Sequence, residues 1–289
     1  MTKPLKPKMV DVDKVTFTPL KSLPSGAKLA YVNHDGNQFL IQTPEMNVPF
    51  DSGSFYADGD TGGKYTIKVA FDNMDTNPAM KEFHDMLKAL DEKIINDGME
   101  NSLAWFKKKN PNKEVVKELY TPMVRVSIDA ETGEPTGKWA PQLQFKIIKR
   151  DGKVMCDCYD SEKNKLNVDG SGDDLVDLET KFTKGTKVRM ILKCNSLWVA
   201  SGKFGCTWKA EQIKINSPVG FSGYAFDDSD EEDGETLTRQ STAKVETPVA
   251  DNFVESEEEE DEDDEDEESE EEEEEEEVTK PKKVRRKKN

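Results

Sequence analysis

The chain has 289 residues and a formal net charge of -19, but the charge is unevenly placed. Residues 1–224 hold 32 Lys and Arg against 30 Asp and Glu, while residues 225–289 hold 9 against 30, so a body of +2 carries an arm of -21. An evenly acidic surface would repel nucleic acid, whereas a near-neutral body with a separate acidic arm can still present a basic face.

The N-terminus "MTKPLKPKMVDVDKVTF" is basic and lacks the apolar segment of a secretory signal. No run approaches the length of a membrane span, so no membrane partner is expected. The four cysteines, Cys156, Cys158, Cys194 and Cys206, are expected as free thiols in a reducing, intracellular compartment.

Three regions follow. Residues 1–20 read as an N-terminal extension and residues 21–224 as one folded domain. Residues 225–289 carry too few apolar side chains to offset the entropy of folding, and are expected to form a disordered acidic tail with a basic C-terminus.

Within the domain the first elements have period-2 patterning. "AKLAYV" and "QFLIQT" flank "NHDGN", where Asp35-Gly36 supplies the positive φ angles of a hairpin turn. "DSGSFYADGDTGG" reads as a Gly-rich polar loop, followed by "KYTIKVAF", in which Tyr65, Ile67, Val69 and Phe71 alternate with polar or small residues.

The period then changes. From Asn77 to Phe106, Met80, Phe83, Met86, Leu87, Leu90, Ile94 and Ile95 recur at helical spacing, with Asn77 as the cap and Pro78 at the first helical position. Gly98 is the expected division between two helices, and the whole helical insertion spans about 77–118.

Strands resume with "MVRVSID", with "PQLQFKIIKR" turning through "RDGK" into "VMCDCYD", with "KVRMILKC", and with "LWVASGKFGCTWKAEQIKI" broken at Ser201-Gly202. "DDLVDLETKF" reads as a short helix. The predicted fold class is mainly β with a helical insertion: an OB-fold barrel plus the acidic tail.

Enzyme chemistry finds no foothold. The phosphate-cradling, nucleophile-elbow, zinc-protease and dinucleotide motifs are missing, and His34 and His84 have no partners at ligand spacing. Four thiolates from the cysteines would make a zinc site, but they fall in strand-like runs without C-x2-C knuckles, so they read as small apolar residues. No enzyme activity, cofactor or metal is expected.

Binding is better supported. Lys146, Lys149, Arg150, Lys187, Arg189, Lys193, Lys203 and Lys209 lie along the strands among aromatic residues, with Arg125 and Lys107, Lys108 and Lys109 nearby. Cations track phosphates while flat rings stack on bases, the combination that holds single-stranded nucleic acid. By parity Phe145, Phe204 and Trp208 belong to the core, leaving Trp139, Tyr159 and Trp198 as stacking candidates.

An acidic arm tethered beside a cationic groove competes with DNA for it. Phe221, Tyr224 and Phe226 run directly into acids, and with Phe253 they are candidates for autoinhibition and partner contact. Ser229, Ser256 and Ser269 fit acidophilic kinase sites. The closing cluster Pro281, Lys282, Lys283, Arg285, Arg286, Lys287 and Lys288 has the pattern of a nuclear localisation signal.

With these features the chain resembles the single-stranded DNA-binding proteins of the phage T7 type, with distant relatives in large nucleocytoplasmic DNA viruses of algae and amoebae. The most specific stretch is "GTKVRMILKCNSLWVASGKFGCTWKAEQIKI", with a W-x(3)-G-K-F-G-x-T-W run from Trp198 to Trp208. The resemblance implies an OB-fold core interrupted by a helix and an acidic C-terminal tail. That family's tail ends on an aromatic residue, whereas this sequence ends in Lys287, Lys288 and Asn289, so Phe253 or the Phe221–Phe226 group would take that part.

The expected function is sequence-independent coating of single-stranded DNA in viral replication, recombination and repair, with the tail recruiting polymerase and helicase or primase. The expected site of action is the nucleus of an infected cell or a viral replication site, and a homodimer is one arrangement considered. The rival readings are an acidic-tailed histone chaperone or chromatin adaptor, and an RNA-binding protein.

Overall fold

The computed structural model describes residues 2–218, apart from 52, 59–61, 110, 130–131 and 170–173. The tail with Phe221, Tyr224, Phe226, Phe253 and the cluster from Pro281 to Lys288 therefore lies outside the described residues.

Within the first twenty residues, a short strand and one bridge join the sheet. Strand β1 (Val15–Phe17) follows two 3-10 turns, and its Val15 is buried in the core. After β2 (Lys21–Ser22) comes β3 (Lys28–His34), which pairs with β1 through Val15 and His34. Leu5 bridges to Ile41 as well. An apolar residue in every second position of "KVTF" is the local reason for β1, and it went unread because the segment is so short.

β3 turns at Asp35 (φ 52°) and Gly36 (φ 74°) into β4 (Asn37–Gln38), the two successive positive φ angles the hairpin requires. β5 (Leu40–Gln42) and β6 (Met46–Asn47) continue the same broken strand. A hairpin of β7 (Gly53–Asp58) and β8 (Gly62–Ala70) comes next, so the Gly-rich "loop" contains a strand.

The helical insertion is as the periodicity predicts. Asn77 Oδ1 accepts from Met80 N at 3.3 Å, Pro78 opens α1 (Pro78–Glu100), and the apolar face of α1 is buried. The division falls at Asn101, not Gly98. A Cβ on Gly98 would lie 3.1 Å from the Phe204 ring and 3.3 Å from Val116, so this glycine serves close packing inside the helix. α2 (Ser102–Phe106) ends on Lys107 in the left-handed region, and α3 (Lys113–Leu119) is capped by Asn112.

The remaining elements are β9 (Tyr120–Thr121), β10 (Val124–Arg125), β11 (Gln142–Arg150), β12 (Lys153–Val154), β13 (Asp157–Tyr159), the short α4 (Leu178–Lys181), β14 (Lys187–Ala200) and β15 (Lys203–Asn216). The sequence suggests two strands over 187–200; the structure has one. Val188, Met190, Leu192 and Cys194 face the core in one phase and Leu197 and Val199 in the other, and the register shift between Cys194 and Ser196 absorbs the difference.

The barrel closes on itself. Along β14, Tyr31 pairs with Ser196, Ile41 with Leu192 and Met46 with Val188, so β3, β5 and β6 act as one interrupted strand. β6 continues to β8, β8 to β11, β11 to β15, and β15 back to β14. Numbered by chain position, these five components run 1-2-3-5-4-1 around the ring, with the 3–5 pair parallel: the OB topology. One end is closed by Trp105, Phe106 and Tyr120 packed around the Phe204 ring.

Candidate nucleic-acid interface

Along β11 and the first half of β14 alternate residues are buried, so the others form the outer surface. On β11, Leu143, Phe145 and Ile147 are buried while Lys146 lies on the other face. Lys146 is in register with Lys209 of β15, and Lys209 with Lys193 of β14. Three lysines from distant parts of the sequence thus stand in one row across neighbouring strands, with Glu211 3.7 Å from Lys209. The row concentrates positive potential on this surface.

Three further cations extend this surface along β14 and β15. Arg189 is in register with Lys214 and Lys187 with Asn216. Arg125 enters from β10 opposite Gln142, and Lys203 begins β15 beside the Ser201-Gly202 turn. Lys107, Lys108 and Lys109 stand apart in the stretch after α2.

Lys149 and Arg150, at the far end of β11, lead to aromatic residues on the two faces of the β7–β8 hairpin, of which Phe55 and Tyr56 entered no binding reading. Phe55 and Tyr65 rings lie 4.5 Å apart, Lys149 Nζ is 5.8 Å from the Phe55 ring, and Lys64 Nζ is 5.1 Å from that of Tyr56. Tyr56 is 49 % exposed. Burial pushes the Tyr65 hydroxyl pKa up, helped by the Asp177 and Glu179 carboxylates. The available signal was "SFYAD" before a glycine-rich turn and the strand "KYTIKVAF", but "DSGSFYADGDTGG" reads as a loop, so the first strand of the hairpin is lost.

The three stacking candidates separate. Trp198 is half-buried, lying across Gly205, where an added Cβ would meet the indole Cζ2 at 2.9 Å. Tyr159 is partly buried in register with Lys214. Trp139 is 51 % exposed, edge-on to Phe50 at 5.7 Å, beside a 460 Å³ pocket that includes Asp72 and Asp75; those carboxylates make it a poor neighbour for phosphate. Phe145, Phe204 and Trp208 are core residues, as their parity predicts.

The cysteines are free and lie on or beside the barrel strands. Cys194 beside Cys206, together with burial, pushes the Cys206 thiol well above its ordinary range, and Cys158 with burial does the same for Cys156. Among the described residues no group of three or more His, Cys, Asp or Glu side chains could hold a metal, and no helix is long and apolar enough to cross a membrane.

No protein-family model and no curated protein matches this sequence. Solved structures similar to it include gp2.5, a single-stranded DNA-binding protein encoded by bacteriophage T7, at 15% identity and TM-score 0.36 over 70% of this chain and 100% of that one. The single-stranded DNA-binding protein of bacteriophage Enc34 has 15% identity and TM-score 0.31 over 75% of this chain and 99% of that one. Its complex with single-stranded DNA has 13% identity and TM-score 0.29, over 71% and 97%. The assignment of the barrel rests on its own strand order.

Proposed function

We propose that this chain binds single-stranded DNA along the outer surface of its barrel, without sequence preference. The observation that carries the reading is the row Lys146–Lys209–Lys193, in register across three neighbouring strands. At strand spacings of about 4.8 Å the row spreads its charge over roughly 10 Å, a stripe suited to a phosphate backbone. At one end Tyr56, in the phase of Lys64 and Thr66 and so of Lys146, offers a flat face to unpaired bases, worth about 1–3 kcal/mol on stacking, while Phe55 and Tyr65 lie in the opposite phase. The lysines are point charges rather than bidentate readers of base edges, which suits binding without sequence preference.

In the same reading the protein coats strands exposed during viral DNA replication, recombination and repair, without a cofactor. Residues 225–289 compete for the cationic surface until DNA displaces them, and then engage polymerase and helicase or primase, with Phe221, Tyr224, Phe226 or Phe253 as the aromatic contacts. The cluster from Pro281 to Lys288 directs nuclear import.

A fluorescence titration with oligo-dT over a range of salt tests this. The full chain should bind with affinity that falls steeply as salt rises, and a chain ending at residue 224 should bind more tightly. Absence of salt-sensitive binding in both would reject the reading.

A further inference from the structure

Beyond the lysine row, a pocket of about 250 Å³ opens between β13 and the β14–β15 pair. Ile191 and Ile213 contribute its apolar lining, and Tyr159, Lys163, Arg189 and Lys214 its polar and charged lining. Lys214 is central to it, in register with Tyr159 on one side and Arg189 on the other.

The charges here are uncompensated, unlike those of two neighbouring lysines. Lys165 meets Asp157 at 2.6 Å and Lys209 meets Glu211 at 3.7 Å. Among the described residues Lys163, Arg189 and Lys214 have no carboxylate within ion-pair distance. Two cations facing each other across a strand pair, with a third beside them, work against the fold unless an anion joins them.

Lys163 is also held in place. Its backbone takes φ 74° inside a tight turn where Asp160 Oδ1 accepts from Glu162 N at 2.8 Å and Asn164 N at 2.9 Å. The turn thus fixes where the Lys163 side chain leaves the backbone.

Three cations, a phenol ring and an aliphatic lining fit an anion joined to a flat, weakly polar group, in a volume below that of most small-molecule sites. We infer that this pocket is a subsite for a single nucleotide of the bound strand. Its base lies against Tyr159 and Ile191, and its phosphate between Arg189, Lys214 and Lys163. The inference rests on the proposed DNA binding and deepens it by setting where the strand leaves the barrel. Along β14, Arg189 is four residues from Lys193, roughly 13 Å. A strand anchored on the lysine row thus needs roughly two to four more nucleotides to arrive.

Length dependence is the test. The full chain and its Arg189→Gln, Lys214→Gln and Tyr159→Leu variants would be titrated with oligo-dT of about 4 to 16 nucleotides, the span of a single OB barrel. Wild-type affinity should step up at the length that reaches the pocket. Each variant should lower affinity about fivefold or more above that length and by a clearly smaller factor for shorter oligonucleotides. Arg189→Gln should also reduce the salt slope by about 0.7, for the longer ones only. Equal losses at every length, or no loss at any, would overturn the subsite while leaving the lysine row intact. Failure of the wild-type chain to bind any of them would remove the binding reading itself.

Discussion

Replacing Asp91 by Asn should change how stability depends on pH more than it changes the structure. Asp91 sits in the middle of α1, buried where the insertion meets the barrel, and its Oδ1 accepts from the Tyr120 hydroxyl at 2.6 Å and from Met123 N at 3.2 Å. Burial pushes its carboxyl up to about 6 from the ordinary 3.8, against the opposing pull of those two donors. Between these values the folded chain keeps a proton that the unfolded chain has released, so unfolding releases a proton and stability falls as pH rises. The contribution is fully present below pH 4 and is gone above the folded value. Its full size is about 3 kcal/mol, of which about 1–2 kcal/mol disappears between pH 5 and pH 7.5. Asn keeps an oxygen for both donors but cannot titrate. Urea unfolding followed by tryptophan fluorescence at those two pH values should therefore show the wild-type chain losing about 1–2 kcal/mol relative to Asp91→Asn. The other carboxylates cancel in the comparison. Two profiles that run parallel would refute the argument that this buried carboxyl titrates differently in the folded state.

Further substitutions probe the packing and the cationic surface. Gly98→Val would push against the Phe204 ring and Val116, already within 3.1–3.3 Å of a Cβ there, and should cost about 1–3 kcal/mol in denaturant unfolding. Gly205→Ala places a methyl 2.9 Å from Trp198 Cζ2 and 3.2 Å from the Thr121 carbonyl oxygen. It should displace the indole, visible as a shifted fluorescence maximum, and lower stability by about 1–3 kcal/mol. Removing all three charges with Lys146→Gln, Lys193→Gln and Lys209→Gln should reduce the salt slope of oligo-dT binding by about 2 while leaving thermal stability unchanged or slightly raised.

Local chemistry was legible in the sequence wherever a single element determines it. The Asp35-Gly36 turn, the Asn77 cap before Pro78 and the core parity of Phe145, Phe204 and Trp208 all follow from residues a few positions apart. The bulge in β14 was not legible, because a one-residue slip in apolar phase looks the same as a break between two strands. Nor was the break at Asn101, since Gly98 is the stronger signal and only the Phe204 ring explains why it stays helical. The candidate site shows the same limit. Lys146, Lys193 and Lys209 are identifiable as strand cations, but their common row depends on the parallel β11–β15 pairing, which no local pattern encodes. Lys163 entered no reading at all, because its place beside Arg189 and Lys214 depends on β13 joining β15.

The way the ring closes has a consequence for synthesis on the ribosome. One edge of the segments at 28–47 acquires its partner only when 187–200 has emerged, although β1, β4 and β8 pair with other parts of them earlier, so the main-chain donors and acceptors of that edge wait for most of the polypeptide to be made. At about 5–20 residues per second that interval lasts on the order of ten seconds or more, during which unpaired edges are open to other chains. The helices at 78–119 depend on nearer contacts and can form meanwhile, so maturation should end with a late, slow zippering step rather than a gradual gain of structure.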